Sequence, residues 1–294
     1  MSRAHLTNRL LLGLAALLRR YPFRGKTALW EAVAPRLQHT TVWIRLPHGA
    51  WMLFDLSQYW QRIMLAGCFE RREYALVGIL LQPGDVFIDG GANCGLYSCL
   101  AMSVIGRGRV YAFEPDPRVF PQLQAQAEHN QPGLHASQTA LGGVPGTTDF
   151  YIPFEGDVEG WTKGLGRCSP VDGWEKLVVA QTTIDAFVES LGLQRVTLAK
   201  LDLEGREVDA LRGARLSLRR GLVESVIVEV AEEHRADLVR ELSQYEFPVI
   251  VDVRRGLRPL KRIEDLPHGQ TDLLVARGAC AARWRRLTWQ RWLL

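Results

Sequence analysis

The chain has 294 residues, 47% of them hydrophobic and 23% charged, ordinary values for a globular protein long enough to bury a large core. A net charge of +4 is too small for an obligate nucleic-acid binder, and part of the excess is local, in "RWRRLTWQRW" with Arg283, Arg285, Arg286 and Arg291. The five cysteines, Cys68, Cys94, Cys99, Cys168 and Cys280, are an odd, scattered set with no CxxC pair, which argues against a structural zinc site and predicts a reduced, cytoplasmic protein.

The first apolar run, "LLLGLAALL" (residues 10–18), is too short to span a bilayer. "RRYPF" follows where a small-residue cleavage site belongs, which argues against a secretory signal. On a helical wheel Leu6, Leu10, Leu11, Leu14, Leu17 and Leu18 share one arc, opposite Arg9, Arg19 and Arg20. This predicts an amphipathic helix that packs on the domain, on a second copy in a homo-oligomer, or on a membrane surface as a peripheral contact.

Residues 41–56 hold two strand-like runs around a Pro/Gly turn, the pattern of a hairpin, and residues 57–81 read as helix broken near Gly67. After "QPGD" the chain alternates. Strand "VFID" precedes helix "LYSCLAMSVIG", and strand "RVYAFEP" precedes helix "PRVFPQLQAQAEHN". A short strand before "ALGG", a hairpin-like "TTDFYIP" and a Gly-rich loop over residues 156–173 come next. Helix "IDAFVESLG", strand "VTLAKLD", helix "EVDALRGARLSLRR", strand "SVIVEV", helix "HRADLVRELSQY", strand "FPVIVDV" and strand "TDLLVAR" complete the series. The alternation predicts one open, doubly wound sheet of six or seven strands.

"DGGANCG" (residues 89–95) joins the first of these strands to its helix, where an open parallel sheet binds its ligand. Gly91 and Gly95 let the backbone turn tightly beside a ligand. Asp89 can accept from a cationic amino group or orient the loop. The spacing is not the G-x-G-x-x-G of nicotinamide sites, and no Walker Gly-Lys-Ser/Thr is present. Glu114, 25 residues beyond Asp89 at the next strand end, can accept from both hydroxyls of a ribose, a contact open to S-adenosylmethionine and NAD alike. In "KLDLEG" (residues 200–205) the period of a strand puts Lys200 and Asp202 on one side. Glu204 and Glu207 are expected in the first turn of the following helix, where acids favour the helix dipole.

"FIDGGANCGLYS", "AFEPDP", "TTIDAFV" and "LAKLDLEGREVDALRGA" followed by "SVIVEV" resemble the FkbM-type S-adenosylmethionine-dependent methyltransferases, from about Gly67 to the end of "TDLLVA", about 70% of the chain. The resemblance implies a class I methyltransferase (Rossmann-like) α/β fold: a seven-stranded, mostly parallel sheet with its last strand antiparallel. It implies that Asp89, Gly91, Asn93 and Gly95 surround the methionine part of S-adenosylmethionine, with Glu114 on the ribose, Ala140 and Leu141 beside the adenine, and Asp202 near the sulfonium. Gly90 departs from the family, which carries an apolar residue there, and "EGWTKGLGRCSP" has little likeness to it. The chain then divides into a helical and hairpin extension (1–66), a methyltransferase domain (67–278) and a basic Trp/Arg-rich tail (279–294).

The expected reaction is O-methylation of a hydroxyl on a sugar, glycan or natural-product intermediate. A hydroxyl nucleophile must lose its proton, and Asp202, Lys200, Glu229 and His234 are the candidates at the cleft. Glu229 equally suits a structural pair with Lys200 across neighbouring strands, and His234 an ordinary helix start. Mg²⁺ on Asp202, Glu204 or Glu229 would have oxygen donors but no tight ligand spacing. Trp161, Thr162, Lys163 and Trp174 in the Gly-rich loop offer an acceptor wall or a plain surface loop. The tail interleaves Arg and Trp without one clean helical face; docking on a partner or on the N-terminal helix is expected, and nucleic acid is not. The rival readings are a cofactor-binding module without catalysis and an NAD-linked oxidoreductase on the same sheet.

Overall fold

A computed structural model describes residues 3–21, 23–37, 41–46, 49–153, 166–168, 170 and 172–286. The N-terminal segment forms α1 (Arg3–Arg20), α2 (Lys26–Val33) and the antiparallel hairpin β1 (Thr41–Arg45) and β2 (Trp51–Asp55). It is fastened to the rest by specific contacts. The indole of fully buried Trp30 donates to Arg62 O at 2.7 Å, and the Asn130 amide spans the Trp51 backbone, accepting from its N–H at 2.8 Å and donating to its carbonyl at 2.7 Å. The expected helical stretch is two helices, α3 (Tyr59–Leu65) and α4 (Arg71–Leu80), broken where Gly67 and Glu70 adopt positive φ.

The alternating region supplies β3 (Val86–Gly90), α5 (Leu96–Ile105), β4 (Arg109–Phe113), α6 (Phe120–His129), β5 (Leu134–Ser137), β6 (Ala140–Leu141), β7 (Gly146–Ile152) and β8 (Glu175–Thr182). It continues with α7 (Ile184–Ser190), β9 (Leu198–Leu201), α8 (Glu207–Arg212), α9 (Arg215–Arg220), β10 (Ser225–Val230), α10 (Arg235–Leu242), β11 (Val249–Asp252), β12 (Arg258–Pro259), β13 (Thr271–Ala276) and α11 (Gly278–Arg286). The main sheet runs β12-β11-β13-β10-β9-β3-β4-β5. β5, β4, β3, β9 and β10 are parallel, and β13 is antiparallel to both β10 and β11. This is the class I methyltransferase order, lengthened at one edge by two-residue β12. Strand order reverses between β3 and β9, which opens a crevice at their carboxyl ends.

One sequence expectation needs correction. The sheet is not single: β6, β8 and β7 form a second, three-stranded sheet. β8 went unread although residues 177–180 form a short apolar run, because that run follows the glycine-rich loop and sits in a half-exposed strand outside the main alternation. The described part of the C-terminal tail, residues 279–286, joins the domain itself. It forms α11, which packs on α4 and β10 with Cys280, Ala281 and Trp284 buried. Small residues made that face hard to see in the sequence.

Period-2 geometry splits the core across the sheet. Phe87 and Val110 face a layer containing α4, α5 and the N-terminal segment, whereas Ile88 and Tyr111 face α7 to α10. At the amino end of β3, buried Asp85 collects the Gln82 N–H at 2.8 Å, the Thr197 hydroxyl at 3.1 Å, Arg195 at 3.1 Å and Arg283 of α11. Removing one partner of a buried ionic group strands the others. Asp85→Asn should therefore lower stability by about 3 kcal/mol, read as a lower urea midpoint with an unchanged slope.

Candidate active site

The turn after β3 is shaped by one close approach. Gly91 has φ 73°, and a Cβ there would lie 1.8 Å from the Asp202 carbonyl oxygen. Glycine alone fits. The Gly91 and Ala92 N–H groups both donate to Phe113 O at 3.0 Å, which ties the turn to the end of β4. Asn93 is left-handed at φ 48°, its backbone N–H donates to Glu114 Oε2 at 2.8 Å, and its side-chain oxygen accepts from Cys94 N–H at 2.6 Å. Gly95, φ 84°, starts α5, and a Cβ there would meet Leu123 at 2.9 Å. At Gly90 a Cβ would lie 2.9 and 3.1 Å from the terminal methyls of Leu141 and Leu201, so the usual apolar side chain would require those two leucines to shift.

Asp89 is buried beneath the turn, accepts from the Ser98 hydroxyl at 2.5 Å and does not line the cavity. It orients the loop. Glu114 does line the cavity, and its second oxygen accepts from Asp116 N–H at 2.8 Å. Burial pushes its carboxyl up to about 7, against those two N–H donors. Phe113, Ala140 and Leu141 give the same end of the cavity an apolar wall.

The cavity, about 750 Å³, continues from this end past Lys200 and Asp202 to a cluster of acids. Lys200 Nζ donates to Asp202 Oδ2 at 2.6 Å and lies 4.4 Å from the centre of the Tyr97 ring. Burial pulls the ammonium down, but Asp202, Glu70 and Asp89 together overcome it and hold its pKa up. The expected Glu229–Lys200 pair does not form, since Lys200 takes the acid two residues on, just past the end of β9. Glu229 instead accepts from the Gln270 amide at 2.6 Å, with Arg254 at 3.8 Å. Burial, and then the charge of Asp202, pushes Glu229 up to about 8. Asp272, its antiparallel neighbour on β13, pairs with Arg254 at 3.1 Å.

Glu204 precedes α8 rather than sitting in its first turn. Left-handed at φ 53°, it lines the cavity 3.6 Å from Arg167. Glu207 closes that turn, its carboxylate accepting from Leu203 N–H at 2.7 Å and Gly205 N–H at 3.2 Å. His234 is not brought to the cavity: it ends a 3₁₀ turn with its ring against Gly205. Trp161, Thr162 and Lys163 lie outside the described residues, and Trp174 stacks on Arg167, 5.6 Å from its guanidinium. No group of three or more His, Cys, Asp or Glu among the described residues is arranged to hold a metal ion.

Sequence reasoning missed Glu70, Tyr97, Trp60, Phe69, Arg254 and Gln270, all of which line the cavity. Glu70 is the most telling. Its backbone is left-handed, φ 34° and ψ 51°, and its carboxylate accepts from the Tyr97 hydroxyl at 2.5 Å. Burial raises its pKa, against the pull of Lys200. A non-glycine residue in that conformation is costly and concentrates at functional sites. The helix break beside Gly67 was the only sequence signal for it.

Residues 89–247 match the model of the methyltransferase FkbM domain. Methyltransferase 1 of Beauveria bassiana is 30% identical over 169 residues, 51% of this chain and 66% of that one. The hexuronic acid methyltransferase AglP of Haloferax volcanii is 26% identical over 64% of this chain and 79% of its own. The 31-O-demethyl-FK506 methyltransferase FkbM of Streptomyces tacrolimicus is 33% identical over 98 residues, 33% of this chain and 37% of that one.

The Gly91 contact makes a direct prediction. Gly91→Ala should cost about 2 kcal/mol or more, from left-handed strain plus displacement of the Asp202 backbone, measured as a lower unfolding midpoint.

Proposed function

The chain belongs to the FkbM methyltransferase family, and from that membership we propose that it methylates a hydroxyl of a sugar or natural-product acceptor, using S-adenosylmethionine. The observation that carries this reading is one continuous cavity with a buried ribose-type carboxylate at one end and raised-pKa acids at the other. AglP is named for a hexuronic acid and FkbM for a demethylated natural product, which supports the acceptor class.

The residues fit the cofactor. Each Glu114 oxygen accepts one backbone N–H and keeps a lone pair for one of two adjacent ribose hydroxyls. Ala140, Leu141 and Phe113 suit the adenine, and the turn of Gly91, Asn93 and Gly95, oriented by Asp89, suits the methionine end. S-adenosylmethionine supplies an electrophilic methyl group. We assign Asp202, steadied by Lys200, to the cofactor's positive charge. We assign Glu229 to the acceptor's proton, because a base working near neutrality needs a raised pKa and reach into the cleft. Glu70, held by Tyr97, orients the acceptor, and Trp60 and Phe69 shield it from water. His234 receives no role, since it stands outside the cavity.

Two measurements test this. Only ionised Glu114 can accept from both hydroxyls, so S-adenosylhomocysteine affinity should fall by up to about tenfold per pH unit below pH 7. Glu114→Gln should remove that dependence and weaken binding about tenfold, or 1.4 kcal/mol. No binding to folded, ligand-free protein would defeat the methyltransferase reading.

With a tritiated methyl donor and a pool of sugars, glycans and hydroxylated natural products, label transfer should rise with pH through about 8, as Glu229 loses its proton. Glu229→Gln should flatten that profile and slow transfer by about 10²-fold or more. Cofactor binding with no transfer to any acceptor would favour the non-catalytic binding module.

A further inference from the structure

The expected leucine arc of α1 does not bury as a unit. Ala15 and Leu18 face the core with Leu11, Leu12 and Leu14 partly covered, while Leu10 is 67% and Leu17 55% exposed. Leu10, Leu17 and Tyr21 lie within roughly 40° of one another around the helix. Gly13 and Ala16 beside them are exposed, and exposed Arg9 and Arg20 form one rim. The Arg20 guanidinium sits 5.7 Å from the centre of the Tyr21 ring. Phe23 and Leu29 extend the exposed apolar surface beyond α1, with exposed Arg24 between them.

Charge is concentrated in the same segment. Its first 37 residues hold seven of the chain's 36 Lys and Arg but only one of its 32 acids, Glu31. The remainder of the chain therefore carries more acids than bases. An apolar stripe rimmed by arginines, in a segment nearly free of acid, complements an anionic bilayer surface. A protein interior or a neutral partner would leave the arginines unmatched. Among the described residues no helix is long and apolar enough to cross a membrane.

We propose that α1 and the segment to Leu29 dock this protein on the surface of an anionic phospholipid bilayer, with Leu10, Leu17, Tyr21 and Phe23 inserted at the headgroup boundary and Arg9, Arg20 and Arg24 among the phosphates. α1 packs on α3, whose Trp60 lines the cavity. The bilayer would thus be docked through the helix that packs on a wall of the cavity. The proposal does not depend on which acceptor is methylated.

The test is co-sedimentation of the full chain with sucrose-loaded vesicles of phosphatidylcholine, with and without phosphatidylglycerol. The expected result is binding to the phosphatidylglycerol vesicles that weakens with added salt. Leu10→Gln with Leu17→Gln should lower that partition about tenfold or more, with S-adenosylhomocysteine affinity and the unfolding midpoint unchanged. Equal sedimentation of both forms, or equal binding to uncharged vesicles, overturns the proposal. So does a concentration-dependent dimer in sedimentation velocity that the same substitutions dissolve, which would make this face a contact between copies of the chain.

Discussion

The site depends on the contact between Gly91 and the carbonyl of Asp202. β3 and β9 are neighbours, and the Asp202 N–H donates to Gly90 O at 3.1 Å, so pairing runs to the very end of both strands. Beyond that point the two chains would collide if either carried a side chain toward the other. A glycine with positive φ lets the first loop bend away while its Cα stays against the second. The consequence is spatial. The glycine turn, Glu114 at the end of β4 and Asp202 at the end of β9 face one crevice because the backbones that carry them touch.

That proximity creates an electrostatic problem. Asp89, Asp202 and Glu70 all lie near buried Lys200, and its ammonium offsets them. Desolvation of a carboxylate costs more than one cation can return to several partners at once. The excess appears as raised acid pKa values at Glu70, Glu229 and Asp272, the last pushed up to about 6. The same crowding that would destabilise a plain core makes these carboxylates stronger bases, as the removal of an acceptor's proton requires. A site of this kind has chemistry because its charges do not balance.

The parts legible in the sequence were those set by local rules. β3, β4, β9 and β10 are apolar runs closed by turn residues, and the glycine turn shows in its spacing. The positions of Asp89, Glu114 and Asp202 at strand ends follow directly. What escaped depends on distant partners. β8 is defined by pairing with β7 and carries a half-exposed pattern. Glu70 takes its place on the cavity wall only because Tyr97, Lys200 and a helix break converge on it. The leucines of α1 could be placed on one arc, but which of them the core would take depends on where α2 and α3 end. Arg283 reads as tail charge until Asp85, far off in sequence, is brought beneath it.

The family match covers residues 89–247, and Glu114, Gly91, Ala140, Leu141, Lys200, Asp202 and Glu229 fall inside it. Trp60, Phe69 and Glu70 precede the match, and Arg254, Gln270 and Asp272 follow it. The end of the cavity assigned to the cofactor is therefore built from the shared domain, and much of the opposite wall comes from its flanks. A domain that must bind one cofactor in every relative constrains its own residues, whereas flanks that meet different acceptors need not agree. This division leaves the cofactor end within the residues the family model matches and much of the acceptor end outside them. It also gives the N-terminal segment a double part, since α3 contributes a cavity wall and α1, packed on α3, presents the apolar and arginine-rimmed face. On the two proposals made above, a change in this stretch would touch both the acceptor end of the cavity and the docking face while leaving the glycine turn untouched.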